Sequence, residues 1–178
     1  MIARLLGFFS TGPDRPPVSD DPAQIRRLYE RKRWSVFLSV TFGDGLFYIC
    51  RVNFAVVKKP LLDAGLLDAR QIGLIGSLLL VMYAVGKVVN GFLCDRSNVR
   101  RFMSAALLAS AFANLAFGSS SLFVAFAVLW ALNGWFQSIG SSPSIVALSH
   151  WFSNRERGTR YGIWSISHNI GEGLTYLV

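Results

Sequence analysis

Residues 34–57 read WSVFLSVTFGDGLFYICRVNFAVV and are mostly apolar over a length that can cross a membrane. About 20 helical residues, each rising 1.5 Å, span the ~30 Å hydrocarbon core of a bilayer. The stretch nevertheless contains Asp44 and Arg51. An arginine inside a membrane helix costs about 2.5 kcal/mol or more, so it usually faces a wet cavity or a partner. Arg51 is also close enough to the expected helix end to extend towards the headgroups, but we favour the cavity position.

Apolar stretches continue along the chain at residues 72–94, 102–118, 122–152 and 161–178. Hydrophobic residues make up 52% of the chain, charged residues 16%, and the mean hydropathy is +0.42. This composition is typical of a multi-pass membrane protein rather than a soluble domain. The fourth stretch exceeds one crossing and contains GSSP at 140–143, where proline removes a backbone donor and predicts a bend. We predict an all-α membrane fold over residues 25–178, after a disordered cytoplasmic tail at residues 1–24.

Lysine and arginine are distributed unequally between the short loops. Eleven lie on one side of the predicted membrane (Arg26, Arg27, Arg31, Lys32, Arg33, Arg96, Arg100, Arg101, Arg155, Arg157 and Arg160) and three on the other (Lys58, Lys59 and Arg70). The positive-inside rule then places the N-terminus in the cytoplasm of a protein of the cytoplasmic (inner) membrane. The same distribution explains the net charge of +8 without nucleic acid, because the cations flank bilayer-length apolar stretches.

The sequence offers little for catalysis or for metal binding. It contains two histidines and two cysteines, Cys50 and Cys94, which form neither a metal-binding pattern nor a disulfide framework. It also lacks a recognisable pairing of nucleophile and base. We therefore expect no enzyme activity, no metal and no cofactor.

Three basic side chains inside the predicted spans, Arg51, Lys87 and His168, suit an anionic ligand. An arginine can hold a phosphoryl group through two hydrogen bonds, and a lysine adds a point charge. Lys87 could instead lie at the membrane interface, but the cost of burying an ammonium favours a cavity. His168 could contribute a third charge when protonated, or could only join helices, and the sequence leaves both readings open.

Four other polar side chains lie in the spans. Asp44 and Arg51 are seven residues apart on one helix face, so they could pair, or Asp44 could face another helix. Glu172 lies four residues after His168, within direct reach. Either carboxylate could couple protons, although structural pairing is the simpler interpretation. Tyr48 and Gln137 could contact a ligand or hold helices together.

The loop GFLCDRSNVRR, residues 91–101, has the pattern G-x-x-x-D-R-x-x-x-R-R, formed by Gly91, Asp95, Arg96, Arg100 and Arg101. It resembles the signature loop between helices two and three of the major facilitator superfamily. Four more stretches narrow the resemblance: FGDGLFYICRVNF (42–54), GWFQSIG (134–140), WFSNRERG (151–158) and SHNIGEG (167–173). Over residues 26–178 the chain is similar to the organophosphate:phosphate antiporters, which include glycerol-3-phosphate, hexose-phosphate and phosphoglycerate transporters and a related sensor of external glucose 6-phosphate.

This resemblance implies the first five helices of an N-terminal six-helix half, so we expect the chain to be a fragment that lacks the C-terminal half. It implies exchange of a phosphorylated metabolite for inorganic phosphate. Arg51 would bind the phosphoryl group, Lys87, His168, Tyr48 and Gln137 would line the site, and the 91–101 loop would act in gating. A second phosphate-binding arginine would lie on helix seven. The alternative is a sensor that signals to a two-component kinase.

The chain departs from the pattern of this family at five positions. The residues concerned are Asp44 in place of a tyrosine, Val52 in place of a lysine, Ser141 in place of a tryptophan, Val146 in place of an arginine, and Glu172 within a glycine-rich run. These departures bear on the choice of substrate and on whether the protein transports or senses.

Overall fold

Six α-helices account for most of residues 20–177. The computed structural model describes these residues together with residues 7, 9, 10, 12 and 16. The helices are α1 (Pro22–Asp63), α2 (Ala69–Asp95), α3 (Val99–Gly118), α4 (Phe123–Gln137), α5 (Ser141–Trp151) and α6 (Asn154–Leu177). The predicted all-α fold is confirmed. Most of the predicted disordered tail, residues 1–24, lies outside the described residues, but residues 22–24 are already helical.

Side chains just ahead of the first three helices fix where those helices begin. Asp21 accepts a hydrogen bond from the backbone N–H of Ala23 (3.0 Å) at the start of α1. At α2, Asp68 accepts from the N–H of Gln71 (2.7 Å), and the Gln71 side chain accepts in return from the N–H of Asp68 (2.9 Å). At α3, the side chain of Asn98 accepts from the N–H of Arg101 (3.2 Å). Each cap satisfies a backbone donor that the first helical turn leaves unpaired.

Four helical segments in the described part of the chain are long and apolar enough to cross a membrane, by length and composition. They are α1, α2, α3, and α4 taken together with α5. The predicted fifth stretch, residues 161–178, falls in α6, whose 24 residues are less apolar because five of them are charged: Arg155, Glu156, Arg157, Arg160 and Glu172. Val178 lies outside the described residues.

The fourth predicted stretch is divided into two helices, and the division lies earlier than the sequence predicts. Residues 138–140 separate α4 from α5. In the last two residues of this segment the backbone N–H groups donate to carbonyls three residues earlier instead of four. The N–H of Ile139 donates to Phe136 (3.1 Å) and that of Gly140 to Gln137 (3.2 Å). Pro143 therefore does not bend a helix but stands in the first turn of α5, where a missing N–H costs little because that turn has no intrahelical acceptor.

Two helix pairs, α1 with α6 and α2 with α4, pack so closely that glycine is needed at each contact. A Cβ added at Gly171 of α6 would lie 3.0 Å from the Cβ of Tyr48 on α1. A Cβ at Gly134 of α4 would lie 3.0 Å from the Cα of Leu79 on α2. Small residues at such crossings allow membrane helices to approach backbone to backbone. The α1–α6 contact brings Tyr48 next to the part of α6 that carries His168.

Two apolar clusters hold α1 on either side of Arg51. One contains Phe47 and joins α1 to α3, α5 and α6 through Met103, Leu148, Phe152 and Trp164. The other contains Phe54 and joins α1 to α2, α3 and α4 through Ile75, Phe117, Phe126 and Trp130. Arg51 lies between these two anchored turns of α1, so the clusters limit where its backbone can move.

The first three turns of α1 dock on the junction between α5 and α6. The Tyr29 hydroxyl donates to the carbonyl of Trp151 (2.9 Å), and Arg33 pairs with Glu156 (3.1 Å). Farther along, the guanidinium of Arg160 lies 4.4 Å from the centre of the Trp34 ring. Hydrogen-bonding, ionic and cation–π contacts therefore fix the direction of this end of α1.

Candidate functional site

A cavity of about 240 Å³ opens between α1, α2, α5, α6 and the end of α4. This volume is slightly below the roughly 300–1,000 Å³ of common small-molecule sites. The lining residues combine aromatic, basic and small side chains: Asp44, Phe47, Tyr48, Arg51, Tyr83, Lys87, Gln137, Gly140, Ser141, Ile145, Tyr161, Trp164 and His168. All five residues predicted to contact a substrate are in this set.

Arg51 reaches the cavity because three residues of α1 share one face. Asp44, Tyr48 and Arg51 are separated by four and three residues, the spacing of neighbours on a helix surface. The Arg51 guanidinium lies 4.6 Å from the centre of the Tyr83 ring and 5.8 Å from that of Tyr48. The structure thus places Arg51 in the cavity wall.

Lys87 lies near the same aromatic ring. Its ammonium is 5.2 Å from the centre of Tyr83 and contacts the hydroxyl of Ser141. Tyr83 was missed in the sequence interpretation, although it lies four residues before Lys87 and must share its helix face. Its ring faces both cations, which aromatic rings attract through their negative faces.

Neither Arg51 nor Lys87 forms an ion pair with a described residue, because no carboxylate in the described part of the chain is within ion-pair distance of either. Nor does this part of the chain contain a group of three or more His, Cys, Asp or Glu side chains that could hold a metal ion. Two cations without a carboxylate partner line the same cavity. They favour an anion with several acceptor oxygens, such as a phosphoryl group.

Asp44 faces another helix, which is the second of the two arrangements considered above. Its carboxylate is almost fully buried, at 2% exposure, and contacts Nε2 of His168. The Ser167 hydroxyl lies 3.4 Å from the same carboxylate oxygen. The expected pairing of Glu172 with His168 is absent from the ion pairs of the described residues, because Glu172 is exposed while the ring of His168 is held against α1.

The His168 ring is held by two further aromatic contacts. It stacks on Tyr48 with ring centres 4.4 Å apart and planes inclined by 18°. Trp164 meets it edge-on, with centres 4.9 Å apart. His168 therefore joins helices α1 and α6 and lines the cavity at once, so the two roles that the sequence left open are compatible.

Gln137 lines the cavity, but its amide nitrogen is already used by the protein. Nε2 donates to the carbonyl of Phe47 (2.9 Å) and to the hydroxyl of Ser110 (2.9 Å). Asn133 extends the same network by donating to the carbonyl of Cys50 (3.2 Å) and accepting from Ser110 (2.6 Å). A buried amide must find partners, and these partners attach α3 and α4 to the site-bearing turns of α1.

The predicted gating loop lies outside this cavity. Gly91 and Asp95 line a second cavity of about 420 Å³ between the ends of α2 and α5. Asp95, Arg96, Arg100 and Arg101 are exposed at the α2–α3 turn. Asn98 in the middle of the motif caps α3, which gives the turn a defined shape.

Comparison with known proteins identifies the family of the chain. Residues 33–178 match the sequence model of the Major Facilitator Superfamily. The chain is 41% identical over 155 residues to a "probable hexose phosphate transport protein" of Chlamydia muridarum, covering 86% of this chain and 34% of that protein. It is 36% identical over 170 residues to the "membrane sensor protein UhpC" of Salmonella typhimurium, covering 96% of this chain and 38% of that protein. The chain thus spans about a third of the length of these relatives.

A solved structure has the same fold. The inward-facing, unoccupied crystal structure of a bacterial homologue of the human lysosomal transporter Spinster superposes with a TM-score of 0.75. Identity is 20%, and the match covers 80% of this chain and 30% of that one. At this identity the likeness concerns the helix arrangement alone.

Proposed function

The chain belongs to the Major Facilitator Superfamily, and from that premise we propose that a protein carrying it exchanges a phosphorylated metabolite for inorganic phosphate across the cytoplasmic membrane. As a member of this superfamily it is a multi-pass membrane transport protein and not an enzyme. The observation that supports exchange of a phosphorylated metabolite is a pair of cations, Arg51 and Lys87. Both lack a carboxylate partner among the described residues, and both lie near one aromatic ring in the cavity wall. The name of the Chlamydia relative, a hexose phosphate transport protein, supports the choice of cargo.

The geometry suggests a separate role in ligand binding for each of these residues. Arg51 would hold the phosphoryl oxygens through two parallel N–H donors, and Lys87, steadied by Ser141, would add charge. Tyr48 and His168 would close one side of the site, while Gln137 would keep α1 in register with α4. A second half supplying another cation would complete the site at a repeat interface, and rocking of the two halves would expose it alternately on each side. The 91–101 loop would stabilise one gate conformation, with the N-terminus in the cytoplasm.

Counterflow in proteoliposomes tests this function. Vesicles containing a protein that carries this chain are loaded with unlabelled inorganic phosphate, and entry of labelled phosphate is followed. We expect entry to accelerate when internal phosphate is present, and we expect an external sugar phosphate, glycerol 3-phosphate or phosphoglycerate to compete. Equal entry into loaded and empty vesicles would rule out exchange.

Sensing is the second candidate function, and one observation favours it: a relative named as a membrane sensor is 36% identical over 170 residues. A sensor would bind a sugar phosphate and pass the signal to a partner such as a two-component kinase, without sustained flux. The same preparation distinguishes the two functions. Saturable binding of sugar phosphate in detergent without counterflow in vesicles would support sensing.

Tyr83 provides a prediction for either function, because both need an anion bound at Arg51 and Lys87. Replacing Tyr83 by leucine removes the ring that holds both cations in place, and we expect phosphate affinity to fall about fivefold or more, since the two cation–π contacts are each worth at least about 0.5 kcal/mol. Tyr83→Phe keeps the ring and should bind within about twofold of wild type. Equilibrium binding of labelled phosphate measures both variants. An equal loss in both would assign the effect to the hydroxyl instead of the ring.

A further inference from the structure

Asp44 is the one acidic residue among the described residues that line the cavity. Its position is costly, because a carboxylate buried inside a membrane helix loses its hydration and needs a partner. Its negative charge also opposes the binding of an anion in the same space. A direct role in holding phosphate therefore does not account for Asp44.

The contacts of Asp44 point across to α6. One carboxylate oxygen, Oδ2, contacts Nε2 of His168 and lies 3.4 Å from the hydroxyl of Ser167. The side chain of Asp44 is 3% exposed and that of His168 is 26% exposed. Asp44 is therefore almost completely buried, whereas the ring of His168 retains a surface that a ligand can reach.

The orientation of the His168 ring is fixed on three sides. Tyr48 stacks on its face, Trp164 meets its edge, and Asp44 holds Nε2. In a histidine, the hydrogen bond made by one ring nitrogen determines what the other nitrogen can do. With Nε2 taken by Asp44, Nδ1 is the ring nitrogen left for a ligand.

We propose that Asp44 is a positioning residue of the phosphate site, which accepts from Nε2–H of His168 and so orients the ring for Nδ1–H to donate to a phosphoryl oxygen in the cavity. The inference rests on the proposed function, because it needs a phosphate between His168, Arg51 and Lys87. It gives Asp44 a role through His168 and none in direct contact with the ligand.

Two substitutions of similar volume separate positioning from simple charge repulsion. Asp44→Asn and Asp44→Leu both remove the negative charge, so repulsion alone predicts the same tightening in each. Only asparagine keeps an oxygen that can accept from Nε2–H. We expect Asp44→Asn to bind inorganic phosphate within about threefold of wild type and Asp44→Leu to bind about tenfold more weakly than Asp44→Asn. Equilibrium binding in detergent measures both, and thermal unfolding checks that both are folded.

The outcomes test the positioning role of Asp44 separately from the proposed function. Equal affinities for the two variants, or tighter binding by Asp44→Leu, would overturn the positioning role while leaving the proposed function intact. Absence of saturable phosphate binding by the wild-type protein would instead overturn the proposed function.

A spectroscopic measurement on the unmodified site keeps the proposal testable if the leucine variant does not fold. The chain contains two histidines, His150 and His168, so His150→Gln leaves one imidazole in this chain to observe. With ¹⁵N-labelled histidine, we expect added inorganic phosphate to shift the Nδ1 resonance of His168 saturably and to change Nε2 much less. A shift confined to Nε2, or no shift under conditions where phosphate binds, would contradict the arrangement.

Discussion

Replacing Arg51 by glutamine is expected to reduce phosphate counterflow at least about a hundredfold. Hydrogen bonds to charged groups are worth about 1.5–3 kcal/mol each, and the arginine fork can make two of them to one phosphoryl group. Their combined loss, about 3 kcal/mol or more, corresponds to this factor. Because Arg51 pairs with no carboxylate among the described residues, the substitution leaves no buried charge unpartnered, and thermal stability in detergent should change little. The initial rate of labelled phosphate entry per mole of reconstituted protein measures the effect.

Two further variants make the Arg51 result specific. Arg51→Lys keeps the charge but loses the planar fork, so we expect about a tenfold loss, between wild type and glutamine. Arg70→Gln removes an exposed arginine at the start of α2, outside the cavity, and should leave counterflow unchanged. Undiminished exchange in Arg51→Gln would remove Arg51 from the site and, with it, the main support for phosphate as the ligand.

Replacing Gly134 by leucine is expected to have the largest effect on stability. A Cβ at this position would lie 3.0 Å from the Cα and 3.1 Å from the carbonyl carbon of Leu79. These are backbone atoms of α2, which no rotamer change can move, so the α2–α4 contact must open. We expect a loss of more than about 3 kcal/mol, at or above the upper end for overpacked cores. The measurement is the thermal unfolding midpoint of the detergent-solubilised protein.

Matched substitutions separate the contact from the general effect of leucine in place of glycine. Gly73 lies on α2 with nothing within 4 Å of an added Cβ, so Gly73→Leu should be close to neutral. Gly134→Ala should give an intermediate loss, since its single methyl group meets the same backbone. If Gly73→Leu destabilised the protein as much as Gly134→Leu, close approach of α2 and α4 would not be the cause.

Much of the fold follows from the sequence because it depends on composition and length. Apolar stretches of about 20 residues predict membrane helices, and the unequal distribution of lysine and arginine predicts an orientation for them. The exact place of the α4–α5 break could not be predicted in the same way. It depends on which carbonyls residues 138–140 reach after α4 packs, and Pro143 marks only the first turn that follows.

The candidate site was predictable where it depends on spacing within one helix. Tyr48 and Arg51 share a face of α1. Tyr83 lies four residues before Lys87 and shares a face of α2 with it, so the same spacing rule predicts its place in the site. Contacts between distant parts of the chain were not predictable. Nothing local to Asp44 indicates that it meets His168 rather than Arg51, because that choice follows from the close approach of α1 and α6 at Gly171.

The length of α1 has a practical consequence for experiments on this protein. Its 42 residues make a rod of about 63 Å, roughly twice the hydrocarbon thickness, so some 30 Å stand in the aqueous phases or headgroup layers. Residues 22–33 account for about 18 Å of this excess, and the Tyr29 and Arg33 contacts prevent them from swinging freely. A fluorophore attached just before Pro22 would therefore be displaced more than the membrane-embedded turns when α1 tilts. Its distance from a labelled bilayer would report the tilt of the whole helix.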